Sequence, residues 1–506
     1  MKPVVRSILE AGNEGIIIDV ECHTSNGLPG IVIIGFANKA IDEAKERVKS
    51  AFSSSKLDLP RKRITINLAP ADIPKDGTSF DLAIAAAILL GSERVPETKL
   101  SGTLVLGELG LDGTVRPVRG IIGKLLHAKQ KGFKTFYIPK GNLEQASLIP
   151  NVTLISVSTL RDLYLELNNT ISLPQVNSSG KLPPAVTAET SQLDFSDVVG
   201  QARAKRALEI AAAGMHNVLL SGAPGAGKSM LAKAIPSILP AMTLEEILEV
   251  THLHSLASRQ YDRIIVERPF RAPHHSASGI SIIGGGSIPR PGEISLSHHG
   301  VLLFDEFPEF SRSTIEALRQ PLEDRVITVA RAKDTISFPA NFILIATSNP
   351  CPCGYYGTSK ACSCTPNEIQ RYQKKISGPI IDRIDLYVDV DEVKHRSLLR
   401  GDKEQPSTDI RERVSRARLR QMKRFGKATK TNSSLSNRDI KQHIKLSDSA
   451  EILLNQAAER LGISARSYMR TIKVAQTIAD LDGIEEINEA HISEALQYRK
   501  PHTNNL

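Results

Sequence analysis

Tryptophan is absent from this 506-residue chain, and all aromatic residues together make up only 4% of it. No apolar run approaches the roughly 20 residues that cross a bilayer as a helix, so we expect no membrane partner. Cysteine is scarce: the chain has five, and four of them lie between 351 and 364. This number and this clustering exclude the disulfide framework of a small secreted domain. No hydrophobic segment follows the first residues, so we expect no signal peptide and a cytoplasmic location.

The basic charge of the chain is concentrated in one segment. Charged residues are 24% and hydrophobic residues 41% of the chain, as in ordinary globular proteins. The segment 394–430 has 13 Lys and Arg against four Asp and Glu, an excess that equals the net charge of +9. Residues such as Arg416, Arg418 and Arg420 fall on a predicted helix, which favours contact with the phosphate backbone of DNA. A solvated helix face beside an acidic partner is the alternative.

The stretch 222–229 matches the phosphate-binding pattern G-x-x-x-x-G-K-[ST]. A strand-like apolar run, 217–220, precedes it and a helix-like run, 230–235, follows. Lys228 can reach the β- and γ-phosphates of a nucleotide, and Ser229 can bind Mg²⁺. Three glycines let successive backbone N–H groups face one anion. They are Gly222, Gly225 and Gly227. The sequence therefore predicts ATP and Mg²⁺ as ligands.

Two further apolar runs end in polar residues that suit the same site. The run 301–304 ends in Asp305 and Glu306, and ligands of open α/β sheets bind at the carboxyl ends of strands. Asp305 can hold Mg²⁺ through water, and Glu306 can orient an attacking water. The run 342–348 ends at Asn349, which we expect near the γ-phosphate. An Asn-Pro turn with Asn349 as its cap is the alternative.

The order of these segments, continued by 377–385, resembles AAA+ ATPases of the magnesium-chelatase and MCM-like branch. More narrowly, the whole chain resembles the YifB/ComM family, also in the long stretches 268–275 and 289–300. The resemblance implies a hexameric ring motor that hydrolyses ATP and acts on DNA, as a helicase or in branch migration during recombination or natural transformation. A motor for protein remodelling or chelatase-type assembly, and an ATP-dependent protease, are the alternatives.

Two arginines gain catalytic roles from the resemblance alone. Arg383 matches the arginine finger of the family, which acts on the nucleotide of a neighbouring subunit. Arg466 matches the sensor arginine of the lid, with Arg470 as a second candidate. An arginine on a helix surface is the alternative for each.

The clustered cysteines follow Asn349 directly in a C-x-C…C-x-C pattern. They are Cys351, Cys353, Cys362 and Cys364. Four thiolates suit a tetrahedral Zn²⁺ site. Reduced cysteines without a metal, and a regulatory disulfide, remain alternatives. Cys22 stands alone and is expected in a core.

The N-terminal part resembles the proteolytic domain of Lon-type proteases, which has the fold of ribosomal protein S5 domain 2. Residues 72–79 resemble the segment with the nucleophilic serine, and 107–126 the segment with the lysine base. A Ser–Lys dyad needs the amine beside the hydroxyl. Ile122 occupies the lysine position and Lys124 matches a different lysine, so Ser79 lacks an evident base. We therefore expect a Lon-like domain without proteolysis, used for assembly or nucleic-acid contact.

The sequence thus predicts an α/β protein with three domains and one linker. Residues 1–168 form the Lon-like domain, and 169–194, rich in Asn, Ser, Pro and Thr, form the linker. Residues 195–392 form the AAA+ core around a parallel P-loop NTPase sheet. Residues 393–506 form a helical lid of the magnesium-chelatase C-terminal type.

Overall fold

The computed structural model divides the chain into two compact units. One comprises Met1–Thr187 with Leu244–Val266, and the other comprises Ala188–Thr243 with Glu267–Leu506. Each unit has its own hydrophobic core. The residues that the structure describes are 4–11, 14–35, 39–73, 75, 77–180, 193–257, 263–286, 289–330, 335–358, 360–376, 378–392, 404–427 and 429–499.

The strands are numbered in chain order. They are β1 Val4–Ala11, β2 Glu14–Ser25, β3 Gly30–Ile34, β4 Arg63–Ala69, β5 Thr103–Val105, β6 Glu108–Leu109, β7 Val115–Arg116, β8 Thr135–Pro139, β9 Val152–Val157, β10 Gln175–Ser178, β11 Val218–Gly222, β12 Phe270–Arg271, β13 Gly284–Gly285, β14 Arg290–Pro291, β15 Val301–Phe304, β16 Val326–Ala330, β17 Thr335–Pro339, β18 Ile343–Ser348 and β19 Leu386–Val390.

The α-helices are numbered in the same way. They are α1 Lys39–Ser54, α2 Asp81–Gly91, α3 Ile121–Gln130, α4 Leu143–Ala146, α5 Leu160–Leu167, α6 Ala202–Gly214, α7 Lys228–Ala234, α8 Leu244–Ala257, α9 Gly279–Ile283, α10 Glu293–Leu296, α11 Arg312–Ala317, α12 Arg319–Asp324, α13 Pro366–Gln373, α14 Gly378–Ile381, α15 Ser407–Phe425, α16 Asn437–His443, α17 Asp448–Leu461, α18 Ala465–Asp482 and α19 Glu489–Gln497.

The first unit contains two four-stranded sheets. Their strand orders are β1-β2-β4-β3 and β10-β9-β8-β5, each with parallel and antiparallel pairs. Helix α2 is buried from Asp81 to Leu90, as a helix that is apolar on almost every face must be. The core of this unit gathers around it.

Two segments of this unit differ from the predicted domain boundaries. Gln175–Ser178 lies in the predicted linker but pairs with Val152–Ile155 as strand β10, because backbone pairing needs no apolar side chains. Helix α8 lies in the predicted AAA+ core but belongs to the first unit. There His252 Nε2 lies 3.0 Å from the buried carboxylate of Glu10. Residues 181–192 of the predicted linker lie outside the described residues.

The second unit is built on a five-stranded parallel sheet with the order β12-β15-β18-β11-β19. Strands β15 and β18 are buried throughout, which explains their continuous apolar runs. Because every strand is parallel, the residues after β11, β15 and β18 meet at one edge of the sheet. Helices α15 to α19 form a C-terminal helical region, the predicted lid. Its helix α15 packs against α18 of the same region and against α6.

Candidate nucleotide-binding site

The P-loop, 222–227, connects β11 to α7 as its sequence pattern requires. Gly225 and Gly227 have left-handed φ angles of 81° and 91°, a region that costs glycine little and other residues more. Helix α7 begins at Lys228, so its N-terminal N–H groups face the loop and favour an anion there. The backbone therefore has the geometry that the predicted anion site requires.

Lys228 is held at the centre of the site. Its Nζ donates hydrogen bonds to Gly222 O at 2.6 Å, to Ala223 O at 2.8 Å and to Asn349 Oδ1 at 3.1 Å. Burial lowers the pKa of Lys228, although the nearby carboxylates of the site raise it. The three oxygens that it contacts belong to neutral groups, so phosphate oxygens are stronger acceptors for the same ammonium.

Ser229, Asp305 and Thr347 form one hydrogen-bonded group beside the P-loop. Ser229 Oγ donates to the Asp305 carboxylate at 2.9 and 3.0 Å, and Thr347 Oγ1 donates to Asp305 Oδ1 at 2.6 Å. A hydroxyl and a carboxylate are the hard oxygen donors that Mg²⁺ takes in such sites. The residues present therefore fit the metal that the sequence predicts.

Thr347 is a site residue that we did not single out from the sequence. Strands β15 and β18 pair Phe304 with Ala346, so the next residues, Asp305 and Thr347, lie side by side. Thr347 is 1% exposed, and its Oγ1 also accepts the backbone N–H of Glu306 at 2.9 Å. The register of the two apolar runs, aligned as neighbouring parallel strands, is the sequence feature that would place the Thr347 hydroxyl beside the Asp305 carboxylate.

Glu306 stands just beyond the end of β15 in a strained conformation. Its φ is 54°, a left-handed value that costs a non-glycine residue roughly 1 kcal/mol. The residue is exposed, and within the described part of the chain its carboxylate accepts no hydrogen bond. This arrangement leaves the carboxylate available to a water molecule at the edge of the sheet.

Arg383 and Arg466 meet at one carboxylate, that of Glu323. Arg383 Nη2 pairs with Glu323 Oε2, and Arg466 Nη2 lies 3.0 Å from Glu323 Oε1. Burial raises the pKa of Glu323, but the hydrogen bond and charge of Arg383 outweigh it and lower the pKa. Arg383 is 7% exposed and also donates to Pro379 O at 2.6 Å. Among the described residues, neither arginine bonds to the P-loop of its own chain.

The four clustered cysteines converge. Their Sγ atoms all lie within 4.8 Å of one another, and three of the separations are 3.3, 3.5 and 3.7 Å. A tetrahedral Zn²⁺ with Zn–S bonds of ~2.3 Å requires S···S separations of about 3.8 Å. Backbone N–H groups, first that of Tyr355, lower the pKa of Cys353 to about 5. The donors present therefore fit Zn²⁺ better than a disulfide, in which two sulfurs lie ~2.05 Å apart.

Ile122 occupies the position that matches the lysine base of Lon-type proteases. Ile122 is buried on α3 with 1% exposure, and no amine is present at its position. Lys124 Nζ lies 3.8 Å from Glu10 Oε2, in an ion pair within the first unit. The structure therefore gives Lys124 a structural partner and leaves Ser79 without a base from this helix.

The basic helix α15 uses most of its arginines inside the protein. Five of them donate to groups of the second unit, mostly backbone carbonyls and buried carboxylates. These pairs are Arg411 with Ser237 O, Arg413 with Glu209, Arg418 with Ala212 O, Arg420 with Asp480 O and Arg424 with Asp480. Of the described cations from 413 to 427, only Arg416, Lys423 and Lys427 are largely exposed. Arg418 and Arg420, two residues of the expected DNA-contacting row, are half-buried. Arg418 joins α15 to α6, and Arg420 joins α15 to α18.

Family comparisons cover almost the whole chain. Residues 194–398 match the family described as magnesium chelatase, subunit ChlI, residues 20–142 match subunit ChlI of Mg-chelatase, and residues 404–499 match the ChlI C-terminal family. These matches confirm the predicted fold class: a mixed α/β protein with an N-terminal ChlI domain, a central parallel sheet and a C-terminal helical region.

Full-length relatives are similar over nearly every residue. The chain is 42% identical over 499 residues to the competence protein ComM of Haemophilus influenzae. The aligned residues are 98% of this chain and 97% of that relative. The chain is 40% identical over 489 residues to a protein named YifB of Escherichia coli K12, covering 95% and 94%. A Lon protease of Geobacter metallireducens is 28% identical over 187 residues, which are 35% of this chain and 22% of that protease.

Among the residues that the structure describes, none of the helices has the length and the apolar character that a membrane span requires.

Proposed function

The chain belongs to the YifB/ComM family of magnesium-chelatase-like AAA+ ATPases, and on that premise we propose that it hydrolyses ATP with Mg²⁺ as a ring-shaped motor on DNA. One observation carries the ATPase part of the proposal. Lys228, the Ser229–Asp305 pair and the exposed Glu306 lie together where three parallel strands end.

Each of these residues has a task that follows from its contacts. Lys228 exchanges its loop carbonyls for phosphate oxygens when the nucleotide binds. Ser229 and Asp305 would hold Mg²⁺, which would supply positive charge beside the phosphates. Glu306 orients a water for attack on the γ-phosphorus and accepts its proton. Asn349 presents Oδ1 to Lys228, so its amide N–H groups remain to hold the same water.

A ring supports the reaction by adding charge from a neighbouring copy. We propose six subunits, in agreement with the family resemblance, with Arg383 acting on the nucleotide of the next subunit and Arg466 as the sensor arginine of the lid. In the structure both arginines are bound to Glu323 of their own chain. Arg383 must therefore exchange Glu323 for a phosphate oxygen, and Glu323 keeps both side chains in one place until it does.

The DNA part of the proposal rests on the relative named competence protein ComM and on basic surface. In helix α15 and the two residues after it, the exposed cations are Arg411, Arg416, Lys423 and Lys427. Arg411 donates to Ser237 O, so the proposed surface consists of Arg416, Lys423 and Lys427. They have the form of a phosphate-contacting patch, and Phe425, the aromatic residue nearest to them in the chain, is half-buried rather than free to stack on bases. Contact of this kind is independent of base sequence.

Zinc is the second metal of the proposal. We infer that Cys351, Cys353, Cys362 and Cys364 hold one Zn²⁺ in a closed site, because their sulfur separations suit a tetrahedral ion. A closed site of four thiolates leaves no position for substrate, so this metal serves the structure of the loop rather than the hydrolysis.

One assay tests the proposed function. ATP hydrolysis is measured without DNA and with single-stranded, duplex and branched DNA, for the wild type and for Lys228→Ala. We expect Mg²⁺-dependent turnover that at least one DNA form stimulates, and a variant that is inactive throughout. Absence of turnover in assembled wild-type protein would disprove the ATPase, and equal rates with and without every DNA form would disprove the DNA motor alone.

A further inference from the structure

A small cavity in the second unit has an excess of positive charge. It lies between the segment that joins α12 to β16, the turn that carries Arg383, and helix α18. Its volume is about 50 Å³, several times the ~10–15 Å³ that one water requires. The charged residues that line it are Arg325, Arg383, Asp385, Arg470 and Lys473.

Asp385, the one carboxylate among the lining residues of this cavity, already has partners. Asp385 Oδ1 lies 3.4 Å from Arg470 Nη1, and its Oδ2 lies 3.4 Å from His216 Nδ1. Burial raises the pKa of Asp385, but these two partners hold it well below its ordinary range. Asp385 is therefore charged and paired with Arg470, and one carboxylate does not balance all the cations of this lining.

Arg325 and Lys473 have only neutral partners among the described residues. Arg325 Nη1 donates to Asn341 Oδ1, and its Nη2 donates to Ser433 Oγ at 3.0 Å. Lys473 Nζ donates to the backbone oxygen of Ser433 at 3.2 Å. Burial lowers the pKa of Lys473 to about 8 and that of Arg325 to about 10. These two half-buried cations thus lack a hydrogen-bonded carboxylate. The charge of Asp385 raises both pKa values in part, but Asp385 is already paired with Arg470, so a further anion would stabilise them.

Arg383 adds an unsatisfied donor to the same lining. Its Nη atoms are used by Pro379 O and Glu323, whereas its Nε is buried without a hydrogen-bond partner in the described part of the chain. A buried guanidinium N–H without an acceptor is costly because the group is charged. A ligand oxygen in the cavity would satisfy it.

We propose that this cavity binds one phosphate-class oxyanion, and that its natural occupant is free orthophosphate. Guanidinium groups and an ammonium together are the donors that recognise phosphate oxygens. The volume admits a single tetrahedral oxyanion rather than a whole nucleotide, which favours the free ion. The site is separate from the P-loop and does not require that the P-loop hydrolyses ATP. A bound phosphate would keep the Arg383 side chain in its inward position. Free phosphate would thereby compete with the proposed action of Arg383 on the nucleotide of the next subunit.

Direct binding measurements test this site. Equilibrium dialysis with radiolabelled orthophosphate is done on Lys228→Ala protein, since that change weakens phosphate binding at the P-loop. We expect uptake near one ion per chain, and at least a tenfold weaker affinity when Lys473→Gln is added. Lys441→Gln, an exposed lysine of the lid, is the matched control and should leave uptake unchanged. Equal uptake in the Lys473→Gln and Lys441→Gln proteins would overturn the proposal.

A second variant has an effect of opposite sign and guards against misfolding. Ser433→Asp places a carboxylate beside Arg325, in the position of the proposed ion. Thermal unfolding without phosphate should shift upward by a few degrees, and phosphate uptake should be abolished. Uptake as strong as in the parent would contradict the site. Binding of ATP but not orthophosphate that depends on Lys473 would assign the cavity to a nucleotide and overturn the free-ion proposal.

Discussion

Gly354 of the cysteine cluster lies directly against Pro224 of the P-loop. A Cβ atom on Gly354 would come within 2.5 Å of Pro224 Cδ, closer than two carbon atoms tolerate. Gly354 follows Cys353 directly, and Asn349, which binds Lys228, lies two residues before Cys351. The proposed zinc loop and the nucleotide loop are therefore packed together and joined by a hydrogen-bonded side chain.

Substitution at Gly354 should weaken nucleotide binding without touching a phosphate-binding group. We expect Gly354→Ala to reduce ATP affinity about tenfold, equivalent to ~1.4 kcal/mol, because the methyl group pushes Pro224 and overpacking costs this order of energy. Binding of a fluorescent ATP analogue measures it. Gly357→Ala is the control, since Gly357 also has a left-handed φ, of 76°, but no atom within 4 Å of a Cβ. Equal reductions in the two variants would attribute the effect to backbone strain alone.

Purified protein should contain about one Zn²⁺ per chain if the four cysteines form a closed site. Cys362→Ser should release the metal and, because the cluster packs on the P-loop, reduce the ATP affinity in part. Elemental analysis on protein never exposed to chelator is the measurement. Cys22→Ala should retain zinc, because burial raises the pKa of the Cys22 thiol to about 11 and the residue lies in the other core. Metal-free wild-type protein would leave reduced cysteines as the better account.

Glu306→Gln should bind ATP normally and abolish turnover, because the amide keeps the shape of the side chain but cannot accept the proton of water. We expect kcat to fall about 100-fold or more with little change in ATP affinity. Glu309→Gln is a matched control on the same segment, since Glu309 is an exposed carboxylate that pairs with Lys375. Parental hydrolysis by Glu306→Gln would show that the water-activating role belongs to another group.

The sequence predicts the parts of this site that depend on local pattern, and fails where contacts are distant. The P-loop, the Asp305–Glu306 pair and Asn349 follow apolar runs that are strands in the structure. Local pattern does not indicate Thr347, because its hydrogen bond to Asp305 depends on the register of two strands rather than on its neighbours in the chain. The composition of 175–178 predicts a linker, because composition does not reveal the backbone pairing that forms strand β10. The density of basic residues does not predict that Arg418 and Arg420 bind backbone carbonyls of the protein. The carbonyls that accept their hydrogen bonds lie 206 and 60 residues away in the chain.

A shared catalytic site between subunits predicts complementation. Arg383→Ala and Lys228→Ala proteins should each be inactive, and their mixture should recover part of the activity. Some interfaces in mixed rings join an intact Lys228 to an intact Arg383, provided that subunits exchange. ATP hydrolysis against mixing ratio is the measurement, with Arg383→Ala mixed with parental protein as the reference curve. Two variants that stay inactive at every ratio, despite demonstrated mixing, would contradict action in trans.

Arginines that point inward on α15 should affect folding rather than DNA binding. Arg418→Gln removes donors to Ala212 O at 3.0 and 3.2 Å, and should lower the temperature of unfolding. Its DNA affinity per folded molecule should stay at the parental value. This variant therefore serves as the control for the exposed cations of the same segment.

Those exposed cations, Arg416, Lys423 and Lys427, should carry DNA binding through phosphate contact. Replacing all three with Gln should weaken affinity for DNA of any sequence, because each replacement removes a charge that displaces counterions from the phosphates. The slope of log affinity against log salt should flatten by about one unit for each phosphate-binding residue replaced, so by up to about three. Titrations at several salt concentrations measure both quantities on one protein. An unchanged affinity and slope in a folded triple variant would move the DNA surface away from this segment. The ATPase proposal would stand, since it rests on the P-loop and its neighbours. The basic charge of α15 would then serve to bind this helix to the core and to α18.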